Sequence, residues 1–144
     1  MVKAYLQPGT YYSETLSEAG DPAGPSESQG YIAQMATRGL IFIQADNPAI
    51  GLMCFVPIGM GDVSTYEIQV YEGQHVTKGD EIGMYHFGGS TVCLLFRPGV
   101  ELEFDTHGQE PSLMASNVPV CAKIATVRRS GGFRPLSDEQ PTQA

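Results

Sequence analysis

Long apolar runs and clustered cations are both scarce in this sequence. No stretch approaches the roughly 18 apolar residues of a membrane-spanning helix, and the first residues lack the basic segment and apolar run of a secretory signal. The chain is therefore expected to be cytoplasmic, without a transmembrane segment. Only 8 Lys and Arg stand against 16 Asp and Glu, for a net charge of -8. A surface that tracks phosphates needs clustered cations to release counterions, so nucleic acid is excluded as a partner, and tight attachment to an anionic membrane is disfavoured. The same sign leaves small amine-bearing substrates open, because negative potential attracts cations.

Cysteine and histidine are equally sparse. Cys54, Cys93 and Cys121 are odd in number, and no two form a C-x-x-C pair, which fits a reducing compartment. Each lies among apolar neighbours and reads as a small buried hydrophobe with no catalytic role. His75, His86 and His107 lack metal-ligand spacing, so no zinc site is proposed. His75 beside Glu72-Gly73-Gln74 and His107 beside Gly108 read as solvated loop residues. Glu101, Glu103 and Asp105 alternate along one strand and read as a wet face, not as a paired-carboxylate centre.

What is present is enough for one core: 144 residues, 42% of them hydrophobic. Residues 1–27 are dense in turn signals (Pro8-Gly9, Gly20-Asp21-Pro22, Gly24-Pro25-Ser26) and read as irregular, with Thr10 to Ser13 as an isolated strand. Residues 28–129 form the folded domain, and residues 130–144 a loose tail. Tyr31, Ile32 and Met35 share a helical face over residues 28–37, capped by Ser26 or Ser28 and ended by Gly39. Strands are expected at Leu40 to Ile43, Ile50 to Ile58, Val63 to Tyr71, Glu81 to Phe87, Thr91 to Phe96, Val100 to Phe104 and Val118 to Val127. The fold class is mainly β (α+β at most): an antiparallel sandwich or barrel-like arrangement of the barrel-sandwich hybrid type, with one or two short helices.

Gly88-Gly89-Ser90-Thr91 is the segment with chemical promise. Two glycines open backbone conformations closed to other residues and leave a hydroxyl beside an unshielded carbonyl. Attack of the Ser90 oxygen on the Gly89 carbonyl would turn the amide into an ester. On its own, Gly-Gly-Ser between strands is more often an ordinary turn. His86, four residues before Ser90, is a proton-transfer group or a pocket residue.

The wider wording gives that segment a context. Val70-Tyr71-Glu72-Gly73-Gln74-His75-Val76-Thr77-Lys78-Gly79-Asp80-Glu81-Ile82-Gly83, leading through a short strand to Gly89-Ser90-Thr91, resembles the cleavage region of the pyruvoyl-dependent phosphatidylserine decarboxylase family. The resemblance runs from about Gly9 to Val127. Through Thr37 to Ile43, Ala45 to Pro48, Gly51 to Phe55 and His86 to Ser90 it is most similar to the soluble fungal branch that includes L-tryptophan decarboxylase. In the membrane-bound branch, Leu commonly precedes the G-S-T where this chain has Gly88-Gly89.

The resemblance implies a C-terminal catalytic domain that cleaves itself between Gly89 and Ser90, with Ser90 becoming a pyruvoyl group. That group forms a Schiff base with a substrate amine in the role pyridoxal phosphate (PLP) has elsewhere, so neither PLP nor metal is expected. The implied substrate is an amino acid or the head group of phosphatidylserine. The Asp and His that assist cleavage in the family lie well upstream of the matching residues. The chain is accordingly expected to be the C-terminal part of a longer protein, associated with its own N-terminal part or with a second copy.

Two rival readings are weighed against this one. A truncated, inactive homologue would keep Ser90 unprocessed. A binding or carrier module is suggested by V-x-x-G-x-x-V-x-K-G-D, which also resembles biotinyl and lipoyl domains. Lys78 lies in a turn common to both families, and no E-T-D-K or M-K-M attachment signal accompanies it.

Overall fold

A computed structural model of the chain describes residues 1–10, 28–60, 65–86, 91–110 and 118–128. In chain order the elements are β1 (Lys3–Gln7), α1 (Gln29–Met35), β2 (Arg38–Gln44), β3 (Leu52–Ile58), β4 (Tyr66–Ile68), β5 (Gly83–Tyr85), β6 (Thr91–Phe96), β7 (Leu102–Phe104) and β8 (Ala125–Val127).

Leu40-Ile41-Phe42-Ile43 and Cys54-Phe55-Val56 combine β-branched and aromatic side chains suited to a pleated, buried surface. They pair as the centre of a four-stranded antiparallel sheet with the order β1-β2-β3-β6. The β2–β3 connection turns at Asn47, whose Oδ1 accepts the Ala49 amide at 3.0 Å. It closes at Gly51, which adopts the left-handed φ of 64°. The guanidinium of Arg97, the residue just after β6, donates to the carbonyls of Ile50 (3.1 Å) and Pro48 (2.6 Å), tying this turn to the end of β6.

Alternation along the strands gives the sheet two apolar faces. On one, Leu40, Phe42, Cys54, Val56, Ile58 and Cys93 meet Ile32, Ala33 and Ala36 of α1 and its C-terminus. On the other, Ala4, Ile41, Ile43 and Phe55 meet Tyr66, Ile68, Val70, Val76, Ile82 and Tyr85 around the two-stranded β4–β5 sheet. Ile41 and Ile58 are 0% and 1% exposed. Each such side chain contributes about 1.5–3 kcal/mol by leaving water. β7 and β8 make a third, two-stranded antiparallel sheet.

Among the described residues the fold is thus mainly β, antiparallel throughout its sheets, with one short helix and no closed barrel. β6 spans the residues expected of it, and β2, β3, β4, β5 and β7 fall within or close to theirs. Four details differ. Lys3–Gln7, read as irregular, is an edge strand paired with β2 from Lys3↔Phe42 to Gln7↔Arg38; neighbouring backbone supplies the order that its own residues do not signal. The helix ends at Met35 with Ala36 extended, while Gly39 lies inside β2 facing Pro57. Ser28 occupies the N-cap without a side-chain cap bond. Val118 to Lys123 is not strand: Ala122 N–H reaches the Pro119 carbonyl in a turn, and Cys121 has φ 63°. The isolated strand at Thr10 to Ser13 and the tail at 130–144 lie outside the described residues, apart from Thr10, which bridges Ala36.

Candidate active site

β5 and β6 deliver the two ends of the Ser90 segment. Tyr85 closes β5 opposite Tyr66, and Thr91 opens β6 opposite Ile58. Gly88, Gly89 and Ser90 themselves lie outside the described residues, so the structure defines what flanks them on either side.

On the upstream side, the His86 backbone N–H donates to the Thr65 carbonyl at 3.3 Å, continuing the β4–β5 ladder by one residue. The His86 ring places Nε2 3.0 Å from Oε2 of Glu67, with both side chains about half exposed. A carboxylate against one ring nitrogen fixes the imidazole's orientation and leaves the other nitrogen for a second partner. Glu67 is a residue that sequence reading missed: it stands 19 positions from His86, and only strand pairing brings the two together.

On the downstream side, the Thr91 hydroxyl donates to Oε1 of Gln29 at the start of α1. The Tyr85 hydroxyl accepts from the Ile58 amide at 3.1 Å and donates to the Thr91 carbonyl at 2.8 Å. Its ring stands edge-on to Tyr66, with centroids 5.1 Å apart. Burial pushes the Tyr85 phenol up to about 12, opposed by its bond to Ile58 and reinforced by neighbouring Tyr66 and Cys93, so it is a neutral donor throughout the ordinary pH range. Burial raises Tyr66 in the same direction, helped by the Glu81 charge. A half-buried tyrosine needs a partner for its hydroxyl, but that burial comes from the assembled strands and the sequence alone does not point to Tyr85.

The other candidates lie elsewhere. His75 is exposed and 3.4 Å from Asp46. His107 adopts φ 54° and bonds the Lys123 carbonyl through Nε2 at 2.8 Å. Its backbone N–H is the main cause that holds the Asp105 carboxyl below the ordinary carboxylate range, followed by Lys123. An open cavity of about 520 Å³ beside β7 and β8 includes Glu103, Asp105, His107 and Lys123 in its lining. Its charges are already matched, Asp105 with Lys123 at 3.3 Å and Glu103 with Arg128 at 3.4 Å. Glu101 and Glu103 are exposed and Asp105 is half-buried, but Phe104, which alternation puts on the opposite side of β7, is 72% exposed, so the wet side is not the only one that meets solvent.

Cys54 is buried and its thiol is raised by desolvation. Cys93 is intermediate. Cys121, expected to be buried, is exposed, because its apolar neighbours turn back instead of joining a strand. Lys78 is exposed in a tight turn closed by Thr77 N–H to Asp80 Oδ2 at 2.7 Å. Among the described residues no group of three or more His, Cys, Asp and Glu side chains could hold a metal ion. No described helix is long and apolar enough to cross a membrane.

Comparison of the sequence with known proteins shows the family to which these residues belong. The family model described as phosphatidylserine decarboxylase matches residues 2–118. Decarboxylase iboD of Amanita muscaria is 38% identical over 140 residues, covering 89% of this chain and 39% of the relative. L-tryptophan decarboxylase of Psilocybe cubensis is 41% identical over 119 residues, covering 77% of this chain and 27% of the relative. Phosphatidylserine decarboxylase proenzyme 2 of Oryza sativa is 33% identical over 91 residues, covering 62% and 15%. The chain therefore spans well under half the length of these relatives, all of them decarboxylases by name. With the family model matching over most of its length, this chain belongs to the phosphatidylserine decarboxylase family.

Proposed function

We propose that this chain carries the self-cleaving catalytic segment of a pyruvoyl-dependent decarboxylase. Ser90 Oγ adds to the Gly89 carbonyl carbon, the amide C–N bond breaks and an ester forms. β-Elimination then breaks the Ser90 Cβ–Oγ bond and leaves Gly89 as a free carboxylate. Water releases the nitrogen of residue 90 as ammonia, and a pyruvoyl group remains at the new chain end. When present, that group supplies an electron-withdrawing carbonyl able to engage a substrate amine and accept the electron pair freed as carbon dioxide departs.

The observation that carries this reading is the family match across the whole segment from Val70 to Phe96, with a hydroxyl-bearing residue at position 90. The described residues fit such a group. It would be carried covalently by the backbone that enters β6, so it needs no separate pocket, and the next residue, Thr91, is held by side chains from two other elements. The chain's own groups supply the rest. His86, oriented by Glu67 and four residues before Ser90 in the sequence, is the group that would hold or pass a proton. Net negative charge favours approach of a cationic amine.

The substrate class we propose is an amino acid or the head group of an amino phospholipid, with a soluble aromatic amino acid favoured by the likeness to an L-tryptophan decarboxylase. Carbon dioxide release from the protein at its full natural length, assayed on aromatic amino acids and on phosphatidylserine vesicles, tests it. Release from either panel, lost in Ser90→Ala, supports the reading. Undiminished release by Ser90→Ala would refute it.

A further inference from the structure

Three ties converge on Thr91, the residue directly after Ser90. Its backbone is in register with Ile58 of β3, its carbonyl accepts from Tyr85 Oη at 2.8 Å, and its hydroxyl donates to Gln29 Oε1. The ties come from three separate elements, β3, β5 and α1. Tyr85 is the pivot, because the same hydroxyl also accepts the Ile58 amide at 3.1 Å. One phenol thus joins β5, which leads into the segment, to β6, which follows it, and to β3, the partner of β6.

We propose that Tyr85 is a positioning residue of this enzyme: with Gln29, it clamps Thr91 so that the chain end created at position 90 keeps its place once the backbone has broken. The proposal rests on the reading of Ser90 given above. In the uncleaved chain, residue 90 is held covalently from both sides. After cleavage it is a terminus attached only through Thr91, and chain termini are poorly ordered unless tied down. A carbonyl whose position wanders by an ångström loses a large part of its catalytic advantage. The clamp acts on the residue that carries the reactive group and does not touch substrate. Its loss therefore lowers turnover in already cleaved enzyme and leaves substrate affinity alone.

Tyr85 is suited to this duty because its ring is wedged against Tyr66 while its hydroxyl reaches two backbone groups at once. Phenylalanine would keep the wedge and lose both bonds. Losing one hydrogen bond of ordinary strength corresponds to up to about a tenfold change in an equilibrium or rate.

The test compares wild type, Tyr85→Phe and Thr91→Val in the protein at its full natural length, each first resolved by mass spectrometry into cleaved and uncleaved chain. Steady-state kinetics follow on the cleaved fraction, with the best decarboxylation substrate of the wild type. In Tyr85→Phe we expect kcat to fall about tenfold with KM unchanged. Thr91→Val, which severs only the Gln29 tie, should lose a few-fold in kcat and keeps the proposal testable if the first variant does not fold. Wild type that decarboxylates substrate without a break after Gly89 would overturn the underlying reading. Wild type that breaks as expected, with both cleaved variants retaining wild-type kcat, would overturn the clamp alone. A rise in KM at unchanged kcat would also overturn it, by assigning these residues to substrate binding.

Discussion

Gly39→Ala is the substitution whose sign the structure decides most sharply. Gly39 is buried in β2, and a Cβ built on it would stand 2.8 Å from Cγ and 3.3 Å from Cδ of Pro57, and 3.2 Å from a ring carbon of Tyr66. None of these neighbours is a flexible tip. Pro57 is a closed ring on a central strand, and Tyr66 is 5% exposed and packed against Tyr85. Overpacking of this kind costs about 1–3 kcal/mol. Opposing it, alanine restricts the unfolded chain and recovers about 0.5–1 kcal/mol. The net expectation is a loss of about 1–2 kcal/mol, or a fall of about 3–7 °C in Tm for a chain of this size. Gly30→Ala is the control: it lies in α1 with no described atom within 4 Å of its built Cβ, so helix propensity alone should raise Tm by about 2 °C. Calorimetry of both variants reads the difference directly. If Gly39→Ala melts at or above wild type, the close packing of β2 against Pro57 and Tyr66 is wrong.

Ile41→Ala removes a side chain that is 0% exposed between the sheet and Tyr66 and Val70, and should lose about 3–4 kcal/mol in urea denaturation; a loss below about 1 kcal/mol would place Ile41 outside the core. Burial raises the Tyr85 phenol from 10.0 to about 12, so its neutral form contributes stability that is complete below about pH 10 and lost as pH rises through 12. Urea midpoints should hold up to the lower value and fall towards the upper one, and Tyr85→Phe should flatten that fall. Arg97→Ala cuts the ties to Ile50 and Pro48 at the β2–β3 turn and should lower stability by about 1 kcal/mol without altering cleavage, since this turn lies at the opposite end of β6 from Thr91.

How far the sequence reaches is seen element by element. Thr91–Phe96 reads as a strand from its composition and is one, end to end, because Arg97-Pro98-Gly99 stops it chemically. Gly39 shows the opposite case. A glycine after a helical pattern reads as a terminator, yet its purpose here is space for Pro57, a partner 18 residues away that no local rule reveals. β1 is similarly invisible, since an edge strand takes its order from its neighbour. Val118 to Lys123 carries apolar residues without alternation and turns at Cys121.

The site divides in the same way. Ser90 and Gly89 are singled out by a motif that is long and contiguous, and both lie outside the described residues. Glu67 and Gln29 are not singled out, because each acts on its partner across 19 and 62 positions through sheet pairing and helix packing. Tyr85 lay within the motif but gave no sign of its two backbone partners, which exist only once β3, β5 and β6 are assembled.

Intact-mass analysis of the protein at its full natural length, with and without Ser90→Ala, tests the central claim most directly. The account predicts two chains from the wild type, separated between Gly89 and Ser90, the second with a blocked N-terminus that reacts with hydroxylamine, and a single unbroken chain from Ser90→Ala. A single unbroken wild-type mass in a preparation that releases carbon dioxide from substrate would contradict it.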